Sequence, residues 1–268
     1  MTCLKTIATF LLLACLTTKV TAQNSQPWKG KKCAVVLTYD DGLDIDITNV
    51  LPALDSLGLK ATFYVANYQG HLQSQIPAWR AAAAKGHELG NHTLFHPCEG
   101  GRPGREFVSA DYDMNNYSMR RITNEILAMN AVLTAIDGKT NRTFAFPCGD
   151  NKIHDTAYID SLRKDFTGAR GVAGTIQTID NIDLYNLPAY GVMNNSGESM
   201  IQWVKEAEAK QGLLVILFHG VGGGHDINVS LPAHSQLLHY LKQHEKDIWI
   251  APMVEVAAYI KEKQKKKL

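Results

Sequence analysis

The chain has 268 residues, with 27 Lys and Arg against 26 Asp and Glu and a formal charge of +1. That balance excludes the basic surplus of a nucleic-acid binder and the acidic surplus of a disordered solvating chain. A hydrophobic content of 45% is ordinary for a globular protein, and the length suits one large domain or two small ones. Lys5, the apolar run Ile7 to Leu16, and Val20-Thr21-Ala22 before Gln23 form the pattern of a secretory signal peptide. Cleavage after Ala22 would leave a single domain over 23–268. A rival reading takes Leu12-Leu13-Ala14-Cys15 as a lipobox, with Cys15 acylated. Either way the chain is expected to be exported, periplasmic or secreted, or else a lipoprotein at the cell surface. No later segment is long and apolar enough to span a bilayer.

Asn24 to Lys32 reads as a short exposed lead-in. Cys33 to Tyr39 is an apolar run that ends in Asp40-Asp41-Gly42, a buried strand with two carboxylates at its carboxyl end and a turn after it. Ile47 to Leu57 has helical spacing and stops at Gly58, with Pro52 tolerable only in a first turn. Ala61 to Ala66 predicts a strand, Trp79 to Lys85 a helix, and His87 to Gly90 a strand leading to Asn91-His92. The repeating strand–helix–strand unit, each strand followed by polar residues, predicts a parallel sheet or barrel. Glu99 to Arg105 is a loop and Asn116 to Ile136 a long helix. A strand over Thr143 to Phe146 runs into Pro147-Cys148-Gly149-Asp150. Tyr158 to Lys164 predicts a helix, Phe166 to Val172 a strand ending near Arg170, and Leu184 to Pro188 a weaker strand. Then follow a helix over Ser199 to Gln211, a strongly apolar strand over Leu213 to Phe218 ending at His219, a helix over Leu231 to Gln243, a strand over Ile248 to Ala251, and a helix over Met253 to Lys263.

Three strand ends therefore hold the chemistry: Asp40 and Asp41, His92 and His96, and His219. Functional groups of α/β folds gather at the carboxyl ends of parallel strands. Neighbouring strand residues point to opposite sides, so Asp40 and Asp41 can serve different purposes. Two histidines spaced His-x-x-x-His together with a carboxylate make a two-His, one-carboxylate metal site with open positions. Cys33, Cys98 and Cys148 remain after the leader, an odd number that cannot form a complete intrachain framework. Cys98 and Cys148 flank candidate site residues and are available to bridge in an oxidising compartment.

Thr38-Tyr39-Asp40-Asp41-Gly42, His92-Thr93-Leu94-Phe95-His96 and Leu217-Phe218-His219 resemble, in order, the first, second and fifth motifs of the polysaccharide deacetylases. These are the NodB-homology carbohydrate esterases, and the closing segments look similar to members described as acetylxylan esterases. The resemblance spans about Cys33 to Ile260 and implies an α/β fold, a distorted (β/α) barrel of about seven strands. It also implies a divalent metal, zinc above all with Co2+, Ni2+ or Mn2+ as alternatives, and hydrolysis of acetyl groups on sugars. By that resemblance Asp41, His92 and His96 bind the metal, Asp40 is the general base, and His219 is the general acid. Leu217 and Pro147 line the substrate pocket, and the backbone N–H of Cys148 stabilises the oxyanion.

The third motif departs from the family pattern. Ala145 stands where an arginine steadies the base carboxylate, and Cys148 where an aromatic follows the proline. Arg170, at a later strand end, is the candidate replacement and is grouped here with the pocket residues. Asp180 or Asp183 would supply the aspartate that orients the acid histidine. His71, His87, His154, His225 and His234 read as surface or packing residues, with His225 and the glycines before it forming a flexible lip at the site rim. The expected partner is an acetylated glycan, with neither nucleic acid nor a transmembrane segment involved. The lost arginine favours O-acetyl esters. N-deacetylation of chitin-type or peptidoglycan glycans, or a catalytically weakened carbohydrate-binding protein on the same scaffold, are the alternatives.

Overall fold

The computed structural model describes residues 26–67 and 70–266. The expected leader and Cys15 lie outside them. Strand β1 (Cys33–Asp41) is buried along its whole length, which is why it reads as a continuous apolar run rather than an alternation. The helix expected next opens as a π-turn over Asp46–Val50 and becomes α1 (Leu51–Leu57). Pro52 falls in the first turn of α1, directly after the π-turn. Gly58 ends the helix at a φ of 67°. After β2 (Thr62–Val65), α2 (Leu72–Ala84) begins a full turn and more before the expected start, because Leu72 and Gln75 extend the buried face of Trp79, Ala82 and Ala83.

Next come β3 (Glu88–Asn91) and α3 (Met119–Asp137). The Ser118 side chain caps α3 by accepting from the Arg121 N–H, and Gly138 closes it. Strand β4 (Phe144–Ala145) is followed by a small hairpin that the sequence did not suggest, β5 (Lys152–Ile153) with β6 (Thr156–Ala157). The helix expected over Tyr158 to Lys164 is a 3-10 turn over Tyr158–Leu162. Strands β7 (Ala169–Arg170) and β8 (Tyr190–Gly191) are short. The chain ends through α4 (Gly197–Lys210), β9 (Leu213–Phe218), β10 (Gly220–Val221), β11 (Asn228–Val229), α5 (Leu231–Gln243), β12 (Ile248–Ile250) and α6 (Met253–Lys265).

The main sheet runs β7-β4-β3-β2-β1-β9-β8, with β12 paired to the first residues of β1. Every pairing in it is parallel. The weak strand candidate at Leu184 to Pro188 makes a single bridge, Arg170 to Leu187, yet it draws the two sheet edges together. The Ala169 N–H donates to Leu184 O and the Leu187 N–H to Ala169 O, both at 2.8 Å, while the Val192 N–H donates to Leu217 O at 2.9 Å. The result is the distorted (β/α) barrel that the strand pattern and the motifs implied. Alternate residues of β1 enter two cores. Val35, Leu37 and Tyr39 pack with α1, α2, α4 and α5, and Ala34 and Val36 pack with α6.

The lead-in expected to be exposed is so at Lys29 and Gly30 but not at Trp28. Trp28 is fully buried, donates from Nε1 to Gln211 O at 2.8 Å, and packs against Trp249 and Tyr259. A lone aromatic among polar residues carries no periodicity, so only the groove it fills reveals its role. Among the described residues, no helix is long and apolar enough to cross a membrane.

Candidate active site

Asp40 and Asp41 end β1 and are nearly buried. Asp41 has a φ of 77° and Gly42 of 66°, so the chain turns sharply just where the carboxylates emerge. The segment after β3 is bent in the same way, with Thr93 at 65° and His96 at 51°. Asn91 Oδ1 accepts from the Thr93 N–H at 2.8 Å, and Thr93 Oγ1 from the His96 N–H at 2.9 Å. These local bonds fold Asn91 to His96 into a coil that brings the two imidazoles to 4.7 Å between centroids. Non-glycine residues at positive φ cost roughly 1–3 kcal/mol each and concentrate at functional sites.

His92 Nδ1 donates to Ala145 O at 2.9 Å, which leaves the Nε2 lone pair pointing inward. That Nε2 is 3.6 Å from Asp41 Oδ1, and His96 Nε2 is 3.4 Å from the same oxygen. One ligand atom each from Asp41, His92 and His96 lie within 4.8 Å of one another. Asp41 Oδ1 is buried with no hydrogen-bond partner. Burial pushes both imidazoles down to about 4, so they are neutral at neutral pH. An orphaned carboxylate oxygen facing two neutral imidazoles fits a divalent cation of the zinc type. His96 also lies near Cys98 and Cys148, but those sulfurs are joined to each other and cannot act as thiolate ligands.

Asp40 lies beside the same cluster, its Oδ2 3.8 Å from His92 Nε2, but has a partner of its own. Its Oδ2 accepts from Arg170 Nη2, and both side chains are buried, Arg170 completely. Burial by itself would raise the Asp40 pKa. The Arg170 guanidinium, helped by His92 and His219, outweighs it and holds the carboxyl below its ordinary value. Arg170, grouped by sequence with the pocket residues, is fully buried and donates to this carboxylate.

His219 follows β9, and its Nδ1 is buried without a hydrogen-bond partner. Asp180 and Asp183, the two expected orienting carboxylates, are exposed. Asp183 accepts from the Tyr185 N–H within its own turn. The structure does not bring either to His219 by any hydrogen bond of its Nδ1.

Cys148 is disulfide-bonded to Cys98, with Cα atoms 5.8 Å apart, which excludes a nucleophilic thiolate there. It has a φ of 56°. The turn's own bonds run from the Gly149 N–H to Phe146 O and from the Asp150 N–H to Pro147 O. Arg105 braces this turn by donating to Cys148 O at 3.1 Å and to Asp150 Oδ2 at 2.7 Å. The sequence offered no sign of Arg105, an arginine in a glycine-rich loop.

Of the histidines set aside, His87 and His234 are buried packing residues, the latter bonded to Tyr39 Oη at 2.8 Å. His225 differs. Its Nε2 lies 3.9 Å from Asp41 Oδ2, and its ring stacks on His219. The only signal for it was its place, six residues after His219 behind three glycines. The loop is tied back on itself, for the Gly220 and Gly222 N–H groups donate to Ile227 O and Val229 O.

The geometry defines an α/β barrel with a two-histidine, one-carboxylate cluster and an arginine-held aspartate at the carboxyl ends of its strands. The polysaccharide deacetylase family model matches residues 29–164, and the chain belongs to that family. It is 25% identical over 168 residues to a gellan lyase of Bacillus sp, covering 63% of this chain and 6% of the relative. It is 37% identical over 67 residues to a peptidoglycan-N-acetylglucosamine deacetylase of Bacillus cereus, covering 25% of this chain and 24% of the relative. The chain thus spans a quarter or less of the length of these curated relatives. Among solved structures, a Mycobacterium smegmatis protein assigned to the polysaccharide deacetylases superposes with a TM-score of 0.60 at 16% identity, covering 87% of this chain and 92% of the other. The Xyl-CE4 domain of a multidomain xylanase from the hindgut metagenome of Trinervitermes trinervoides gives 0.53 at 21% identity, covering 86% and 91%.

Proposed function

We propose that the chain is an exported, metal-dependent carbohydrate deacetylase acting on O-acetyl esters of a glycan. Asp41, His92 and His96 would hold the metal, zinc before Co2+, Ni2+ or Mn2+. A divalent ion there supplies Lewis-acid polarisation of the acetyl carbonyl and an acidified water. Asp40, kept ionised by Arg170, takes the proton of the attacking water. His219 protonates the departing sugar oxygen, and the Cys148 N–H receives the developing oxyanion. Leu217 and Pro147 border the acetyl methyl. The Cys98–Cys148 bridge is in keeping with export to an oxidising compartment.

The missing third-motif arginine no longer favours esters, because Arg170 occupies its function at Asp40. The orphaned Nδ1 of His219 carries the ester reading instead. An imidazole with no carboxylate behind it is a less assisted acid, which suits an alkoxide leaving group better than an amide nitrogen that must be protonated to depart. The second reading is N-deacetylation, favoured by the 37% identity to the Bacillus cereus peptidoglycan deacetylase over its 67 matched residues.

Acetate release from acetylated xylan and from chitin oligosaccharides, measured side by side on the zinc-loaded protein, separates the two. Release from xylan alone, abolished in Asp40→Asn, is expected. Release from the chitin oligosaccharides alone would establish the amide reading. Zinc bound with no acetate from either would leave a carbohydrate-binding protein on the same scaffold.

A further inference from the structure

His225 has no part in the chemistry above, yet it lies at the site. Its ring stacks on that of His219, with centroids 4.9 Å apart and planes 24° apart. At its far edge, Nδ1 accepts from the Ile227 N–H at 2.9 Å. An amide N–H can only donate, so Nδ1 must present its lone pair. The proton of the neutral ring therefore resides on Nε2, the atom 3.9 Å from Asp41 Oδ2. What His225 turns towards Asp41 is a donor and not a lone pair. A metal ligand needs the lone pair, so in this bonding state His225 is not a fourth ligand.

The two oxygens of Asp41 are thereby distinguished. Oδ1 faces His92 and His96 and has no hydrogen-bond partner. Oδ2 faces the His225 N–H. A donor on one carboxylate oxygen directs the other to the cation, and such outer hydrogen bonds orient the ligand and tune its basicity. We propose that His225 is a positioning residue whose Nε2–H holds Asp41 Oδ2, so that the carboxylate offers the metal Oδ1 alone and leaves room for substrate. The inference rests on the metal-dependent reading above. At 3.9 Å the pair is about 1 Å longer than a formed hydrogen bond, and the proposal requires it to shorten in the metal-loaded protein.

The loop is built to hold this ring. The Gly220 N–H donates to Ile227 O at 2.9 Å and the Gly222 N–H to Val229 O at 2.8 Å. The Gly223 N–H donates to Asn228 Oδ1 at 3.1 Å. Gly224 has a φ of 81°, and a Cβ there would lie 2.9 Å from the Ile45 side chain, so the chain passes Ile45 closely just before it presents His225.

Isothermal titration of the metal-free full chain with Zn2+ tests the proposal, using wild type, His225→Ala and His225→Gln. His225 is on a surface loop and about a quarter exposed, so both variants keep the fold, which circular dichroism checks. Loss of the outer donor is expected to weaken zinc binding about 10–100-fold in His225→Ala. Most of that returns in His225→Gln, whose amide N–H reaches the same place. X-ray absorption of the zinc-loaded proteins should count two imidazoles in all three. Equal affinities for all three would overturn the proposal while leaving the metal site intact. One imidazole fewer in His225→Ala would make His225 a ligand and overturn it too. A wild type that takes up no zinc would remove the metal-dependent reading and this inference together.

Discussion

Arg170 and Asp40 meet across 130 residues of sequence, and what the pair does is set by burial. Both lie in a low-dielectric environment where one charge without the other costs about 3–5 kcal/mol. The guanidinium keeps Asp40 ionised against the desolvation that would protonate it. Because the folded pKa is depressed, the stability this contributes is present above the unfolded value near 3.9 and is lost as pH falls through the folded value. Asp40, proposed as the general base, must be ionised to act, so activity is expected to decline on the acid side at its pKa. Arg170→Met removes the opposing charge and leaves desolvation in control, which raises that pKa. The acid limb of the kcat/KM profile is therefore expected to move to higher pH, with kcat reduced at neutral pH. A variant that stays folded by circular dichroism and keeps the wild-type acid limb would show that Arg170 does not sustain the base.

One element, the turn after β4, combines both departures from the family pattern. Ala145 has no side chain to reach Asp40, yet its carbonyl accepts the His92 Nδ1–H and so sets the tautomer that frees Nε2. Cys148 stands where the family pattern has an aromatic, and its bridge ties this turn to Cys98, two residues past His96. The bridge spans 50 residues, which in the chain-entropy account is worth about 4 kcal/mol. Arg105 and Asp150 brace the same turn independently. Cys98→Ser with Cys148→Ser should lower the urea-unfolding free energy by about 2–4 kcal/mol and leave the fold intact. A loss under about 0.5 kcal/mol would mean that the Arg105–Asp150 brace alone suffices, since that is within the range of ordinary surface changes.

For the whole molecule, stability and chemistry occupy opposite ends of the barrel. Trp28 lies beyond the amino-terminal end of β1, and Asp40 and Asp41 lie at the carboxyl end. It links the start of the described chain to Gln211, Trp249 and Tyr259, whose Oη donates to Pro27 O at 2.6 Å. Removing so large a buried side chain costs about 3–5 kcal/mol. Trp28→Ala should shift the urea midpoint accordingly while leaving KM for the proposed acetylated-glycan substrate unchanged. A change in KM of tenfold or more would show that the closed end of the barrel is coupled to the site.

The motif residues and the parallel α/β pattern were legible in the sequence because each rests on local order. Buried strands show as apolar runs, and Asp40-Asp41-Gly42, His92 to His96 and Leu217-Phe218-His219 each occupy one strand end. Helix ends were legible where a glycine marks them, as at Gly58 and Gly138, whereas the Ser118 cap starts α3 at Met119 and not at the expected Asn116. The burial of Trp28 is not legible, because nothing near it in sequence reveals the groove it fills. The bonds of Arg105 and the contacts of His225, placed by sequence only at the site rim, are hidden for the same reason, since a loop side chain takes its role from what packs beside it. The sequence by itself determined the strand ends and the chemical groups placed there. Only the tertiary structure decided which groups face one another, that Arg170 reaches Asp40 and that the His225 N–H turns towards Asp41, because closing the barrel, and no local rule, brings those distant loops together.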